Sequence, residues 1–105
     1  MSRKVNKRDA AKRAILEIAD FLAMDSILLA GRFLDAVERT LTFLTSMPEI
    51  GGLWESEASR LQGVRVWQVD GFPNHLVFYR PTTDGIDVIF LCHATRDLNS
   101  LLDNM

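Results

Sequence analysis

Between Met47 and Gly63 the hydrophobic period of this 105-residue chain changes from about 3.6 to 2, so helices must come first and strands after. On the early side, Ala11, Ala14, Ile15, Ile18, Phe21 and Leu22 recur at spacings of three and four between Lys7 and Met24. That spacing predicts an amphipathic helix, preceded by at most a very short strand around residues 3–6. Asn6 or Asp9 stands where a cap belongs, although the basic residues of the first turns oppose the helix dipole. A second helix is expected after Asp25 and Ser26, either of which can cap it, running through Ala30, Phe33, Leu34, Val37, Leu41 and Leu44 to about Met47. Asp35 and Arg39 lie one turn apart on its polar side. Pro48 stops it, Gly51 and Gly52 complete the break, and the short link between the helices predicts an antiparallel hairpin.

Beyond Gly63, Val64, Val66 and Gln68 alternate with Arg65, Trp67 and Val69, the pattern of a strand. Gly71 to Asn74 read as a loop, His75 to Arg80 as a second strand, Pro81 to Gly85 as a turn, and Ile86 to His93 as a third strand. The third strand is apolar in both alternating sets, Val88, Phe90 and Cys92 against Ile89 and Leu91, and so belongs inside the sheet. Leu98, Leu101 and Leu102 place a short helix in the tail from Thr95 to Met105. The expected fold class is α+β in a single domain over 1–105: an N-terminal antiparallel helical hairpin packed on a small antiparallel β-sheet, with a short C-terminal helix. There is no internal repeat, low-complexity segment or linker.

Composition limits the function classes. A chain this small supports one shallow core, which excludes large multi-site enzymes. No apolar run approaches the roughly 18 to 20 residues that span a bilayer, so neither a membrane span nor secretion is expected, and the single cysteine fits a reducing cytoplasm. The net charge of −2 argues against nonspecific nucleic-acid binding. It is nevertheless segregated: residues 1–13 hold six basic side chains and one acidic, and 14–59 hold two against eight. All three lysines, Lys4, Lys7 and Lys12, fall in the first segment. The basic head is read either as a nucleic-acid or membrane-surface arm or as a solvated helix face.

Few residues offer chemistry. Cys92 precedes His93, but strand neighbours point to opposite faces, so they do not form a nucleophile and base, and Cys92 reads as a core residue. His75, at a loop–strand junction, reads as exposed and structural. One cysteine and two histidines do not close a structural zinc site without carboxylates, and no metal-ligand spacing or phosphate loop is present, so no cofactor is expected. His93 and Arg96 offer donors to an anionic partner; equally, Asp97 or Thr95 caps the last helix while Arg96 pairs elsewhere. Arg65 and Arg80 on neighbouring strands, with Tyr79, are a second candidate set, but Tyr79 and Arg80 should face opposite sides unless a bulge intervenes. Arg80 before Pro81 also reads as a solvent-exposed strand end. Trp54 and Trp67 are read either as core residues or as large apolar groups that a partner chain covers, and Ile27, Leu28 and Leu29 are apolar all round, which suggests a groove for a partner segment.

Taken in order, these motifs resemble the ParE-like toxins of the RelE/ParE superfamily. The resemblance runs through Ala11, Ile15, Ile18, Phe21, Leu22 and Ala23; Ala30, Phe33 and Leu34; and Met47, Pro48, Glu49, Ile50 and Gly51. It continues through Leu61, Gly63, Val64 and Arg65; Gly71, Phe72, Pro73, Asn74 and His75; Phe78, Tyr79 and Arg80; and Asp84, Gly85 and Ile86. It closes on His93, Ala94, Thr95, Arg96, Asp97 and Leu98, where Asp97 and Leu98 carry the structural signature. The resemblance implies a cytoplasmic toxin of a bacterial type II toxin–antitoxin module, of the kind tied to plasmid stabilization. It further implies a ParD-like ribbon-helix-helix antitoxin whose C-terminal segment wraps the toxin, with Ile27, Leu28, Leu29, Trp54 and Trp67 as candidate contacts. ParE-like members block DNA gyrase without catalysis, whereas RelE-like members cut messenger RNA on the ribosome. From residue 60 onward the only cations are Arg60, Arg65, Arg80 and Arg96, a poor inventory for RNA cleavage. The expected function is therefore gyrase inhibition, with Arg65, Tyr79, Arg80, His93 and Arg96 as candidate target contacts, no catalytic residue, and no DNA binding by the toxin alone. The alternatives are a RelE-like ribonuclease and a non-toxic partner-binding module.

Overall fold

Helix α1 (Asp9–Ala23) buries Ala11, Ala14, Ile15 and Ala19, and three alanines in that set let its backbone lie close over the sheet. The computed structural model describes residues 3–54 and 62–94; the expected C-terminal helix lies outside them. Arg8, not Asn6 or Asp9, occupies the N-cap of α1 and caps it without a side-chain hydrogen bond. Helix α2 (Ile27–Ser46) begins at Ser26, whose Oγ accepts from the Leu29 amide at 3.1 Å, a cap worth about 1 kcal/mol. It buries Phe33, Val37, Leu41 and Leu44, each stabilising by roughly 1.5–3 kcal/mol, and ends two residues before Pro48. The helices fold back through Met24 to Ser26 as a hairpin. Arg39 reaches Asp70 at 3.5 Å, across to the sheet, rather than Asp35 on its own helix.

The strands are β1 (Lys4–Lys7), β2 (Gly52–Leu53), β3 (Arg65–Val69), β4 (Phe72–Pro81) and β5 (Gly85–His93), in the order β1-β5-β4-β3-β2. The meander of β3, β4 and β5 is antiparallel, as its turns require, and β5 lies inside the sheet. One expectation changes: the sheet is mixed, because β1 pairs parallel with β5. Everything between these two strands serves as the long crossover that a parallel pair needs. Gly85 makes the pairing possible, since a Cβ there would overlap the Lys4 carbonyl oxygen. The two-residue strand β2, unforeseen in the Gly-flanked loop, pairs with Val66 and Arg65.

The core has two sides. Against the helices lie Val69, Val77, Tyr79, Ile86, Val88 and Leu91; on the other face lie Val64, Phe78, Ile89 and Cys92, packed by Trp54, Val66 and Leu76. Phe78 pairs with Phe90 but Tyr79 pairs with Val88, so Ile89 is the extra residue of a bulge. That bulge is why Val88 and Leu91, an odd number of residues apart, share the helix-facing side.

Candidate functional site

Arg65 and Tyr79 stand directly opposite each other on β3 and β4, and the loop that leaves α2 folds over both. The Tyr79 hydroxyl donates to the Pro48 carbonyl at 2.8 Å and accepts from the Gly51 amide at 3.0 Å. Arg65 Nη1 donates to the carbonyls of Glu49, at 3.0 Å, and Gly51, at 2.7 Å. Burial holds the Tyr79 hydroxyl above its ordinary pKa of 10.0, while the Gly51 amide and the Arg65 charge pull less strongly the other way. The ring has no exposed surface, which removes Tyr79 from the candidate target contacts. It is a pillar under residues 48–51, and Arg65 serves the same loop.

Arg80 faces the opposite side of the sheet, as strand alternation demands. Its Nε and Nη2 donate to the Gln62 carbonyl at 3.1 and 3.0 Å, so it ties down the turn before β3 rather than ending the strand in solvent. On that face Asp87 accepts from Arg8 Nε and Nη2, at 3.0 and 2.8 Å, and from Asn6 Nδ2 at 2.9 Å. Burial alone would raise the Asp87 pKa, but the Arg8 and Asn6 hydrogen bonds and the Arg8 and Arg80 charges outweigh it and hold the carboxyl below 3.8. Lys4 pairs with Asp84 at 3.5 Å and Lys7 with Glu38. Three of the head's six cations are thus bound to the protein's own carboxylates, which disfavours its reading as a nucleic-acid arm.

His93 sits opposite His75, with ring centres 5.1 Å apart, on a groove shared with α1. His75 is half-buried, with its ring against Phe33 and Phe72, and so is not the exposed residue expected. Arg96, Asp97 and Leu98 lie outside the described residues. Trp54 packs edge-on against Phe78 and its indole N–H is buried without an acceptor among the described residues, so its ring serves the second core. Trp67 is half-buried beside Phe43, and both line a cleft of about 460 Å³ together with Arg39 and Asp70.

Among the described residues, the four most exposed large apolar side chains stand at the turn between the helices. Ile27 is 83% exposed and Leu28 65%, Leu29 is half-buried, and Met24 and Phe21 join them at 82% and 69%. Phe21 was expected in the buried stripe of α1. At about 100° per residue, however, it lies about 80° round from the line through Ala11, Ile18 and Leu22, and it stands in the last turn of α1. Exposed apolar side chains grouped in this way on a hairpin are the kind of surface that marks a protein–protein contact.

Residues 5–98 match the family model described as ParE toxin of type II toxin-antitoxin system, parDE. No curated protein matches the chain.

Proposed function

The chain belongs to the ParE toxin family of type II toxin–antitoxin systems, with an antitoxin as its partner, and on that premise we propose that it acts without catalysis, by binding DNA gyrase in the cytoplasm. A ParD-like ribbon-helix-helix antitoxin neutralises it by covering the end of the helical hairpin. The observation that carries this reading is the fate of the sheet's polar side chains. Arg65, Tyr79 and Arg80 are committed to backbone groups of the protein itself, where a ribonuclease would aim such groups at a scissile phosphate. The most exposed large apolar side chains among the described residues, Phe21, Met24, Ile27 and Leu28, suit a protein surface instead.

Expression of the chain without its neighbouring antitoxin gene is expected to arrest growth, and co-expression to restore it. Purified protein is expected to inhibit gyrase supercoiling while ribosome-bound messages stay intact. Codon-positioned message cleavage would replace this reading with the ribonuclease one. Unimpaired growth in the absence of any antitoxin would leave only a partner-binding module.

A further inference from the structure

The sheet ends on one side at β1, and among the described residues no strand pairs with the outer edge of β1. In the parallel ladder with β5, the Lys4 amide donates to the Asp84 carbonyl at 2.9 Å and the Arg8 amide to the Val88 carbonyl at 3.0 Å. Backbone groups alternate sides along a strand, so Lys4, Asn6 and Arg8 turn theirs toward β5 while Val5 and Lys7 turn theirs outward. Lys4, Val5 and Asn6 are exposed and Lys7 partly so, which leaves this short row of donors and acceptors facing solvent. An open edge of this kind is a template for another strand.

Charge decides which strand. Four of the six residues from Arg3 to Arg8 are cationic and none is acidic. A second copy of the chain is disfavoured, because every antiparallel self-pairing through the outward groups sets like charges opposite each other. With the two-fold axis at Asn6, Lys4 meets Arg8; at Val5, Arg3 meets Lys7; at Lys7, that lysine meets itself. The protein's own carboxylates do not exhaust these cations. Arg8 gives Nε and Nη2 to Asp87, and its Nη1 makes no hydrogen bond among the described residues. Lys4 meets Asp84 at 3.5 Å with both side chains more than half exposed, a pair worth little. We propose that the outer edge of β1 is a docking site for an acidic extended segment of a partner protein. The segment adds a sixth strand beside Val5 and Lys7 and sets alternate carboxylates against Lys4 and Arg8, which project from the face away from the helices.

The test is an NMR titration of the full chain with a blocked decapeptide of alternating glutamate and valine, set against one of alternating lysine and valine. With the acidic peptide, the amide signals of Val5 and Lys7 should move most and their hydrogen exchange should slow, since these amides gain acceptors. Affinity should fall as salt is added. The basic peptide should bind at least roughly tenfold more weakly. Val5→Pro removes an outward N–H that the ladder to β5 does not use, so the fold should survive while binding weakens by roughly tenfold. Lys4→Glu should also weaken binding. The proposal fails if the acidic peptide does not bind at millimolar concentration, if the shifts lie away from β1, or if the basic peptide binds as tightly. It also fails if a Val5→Pro chain with the parent's circular dichroism spectrum binds as tightly as the parent. The parent titration decides even if that variant does not fold.

Discussion

Replacing Tyr79 by Phe separates a structural hydroxyl from one that touches a target. The ring keeps its place in the core, so the transfer and packing contributions are unchanged, and only the oxygen between the Pro48 carbonyl and the Gly51 amide is lost. The Pro48 carbonyl is partly exposed and recovers water. The Gly51 amide is buried and does not, and an orphaned buried donor costs about 1–3 kcal/mol. A loss of about 2 kcal/mol is therefore expected, a large share of the 5–15 kcal/mol that typically holds a domain together. Urea denaturation followed by tryptophan fluorescence should show a lower midpoint with an unchanged slope. Below that midpoint the variant should still bind antitoxin and arrest growth, because Tyr79 presents no surface. A stability change under about 0.5 kcal/mol combined with loss of growth arrest would refute the argument. Gly51→Ala provides the companion: its Cβ would stand 2.6 Å from the Tyr79 hydroxyl oxygen and 2.8 Å from the Val66 carbonyl oxygen. Removing the hydroxyl relieves the first clash and leaves the second, so the double variant should be less destabilised than the sum of the single ones.

Acid should weaken the fold in two steps. Burial first, then the neighbouring His93 charge, holds the His75 pKa below 6.5, so its contribution is complete above pH 6.5 and is lost as pH falls through the depressed folded value. Asp87, held below 3.8, contributes fully above pH 3.8 and loses that contribution as pH falls through its own folded value. In stability measured against pH, His75→Gln should flatten the upper step and Asp87→Asn the lower; unaltered curves would contradict the assignment. Gly85→Ala should push β1 off β5, and hydrogen exchange of Lys4 and Asn6 should rise far more than that of β4 amides. Ile27→Glu should change folding stability by less than about 0.5 kcal/mol, since the side chain is 83% exposed, yet weaken antitoxin binding at least about tenfold by calorimetry. Unchanged affinity would take the hairpin end out of the interface.

What the residues could reveal in advance follows from the range of the interactions involved. Both helices, the Ser26 cap, the stop before Pro48 and the three meander strands depend on spacings of a few residues and are legible locally. The face assignment of Cys92 against His93, and of Tyr79 against Arg80, is equally local, since it follows from strand alternation. Which of those faces is the deeper one is not local. Tyr79 is sealed because residues 48–51, some thirty positions upstream, fold across it. Nothing in the alternation of β4 distinguishes that tyrosine from one at a target surface. Arg39 illustrates the same limit: Asp35 one turn away satisfies the helix rule, yet the longer reach to Asp70 is the one made, because α2 packs beside the turn between β3 and β4. The His75 and His93 pairing depends in turn on the bulge at Ile89, which alternation alone does not reveal. Shifting β5 by one residue would turn His93 to the other face. The chain's two histidines therefore share a groove only because one residue of β5 is out of step with β4.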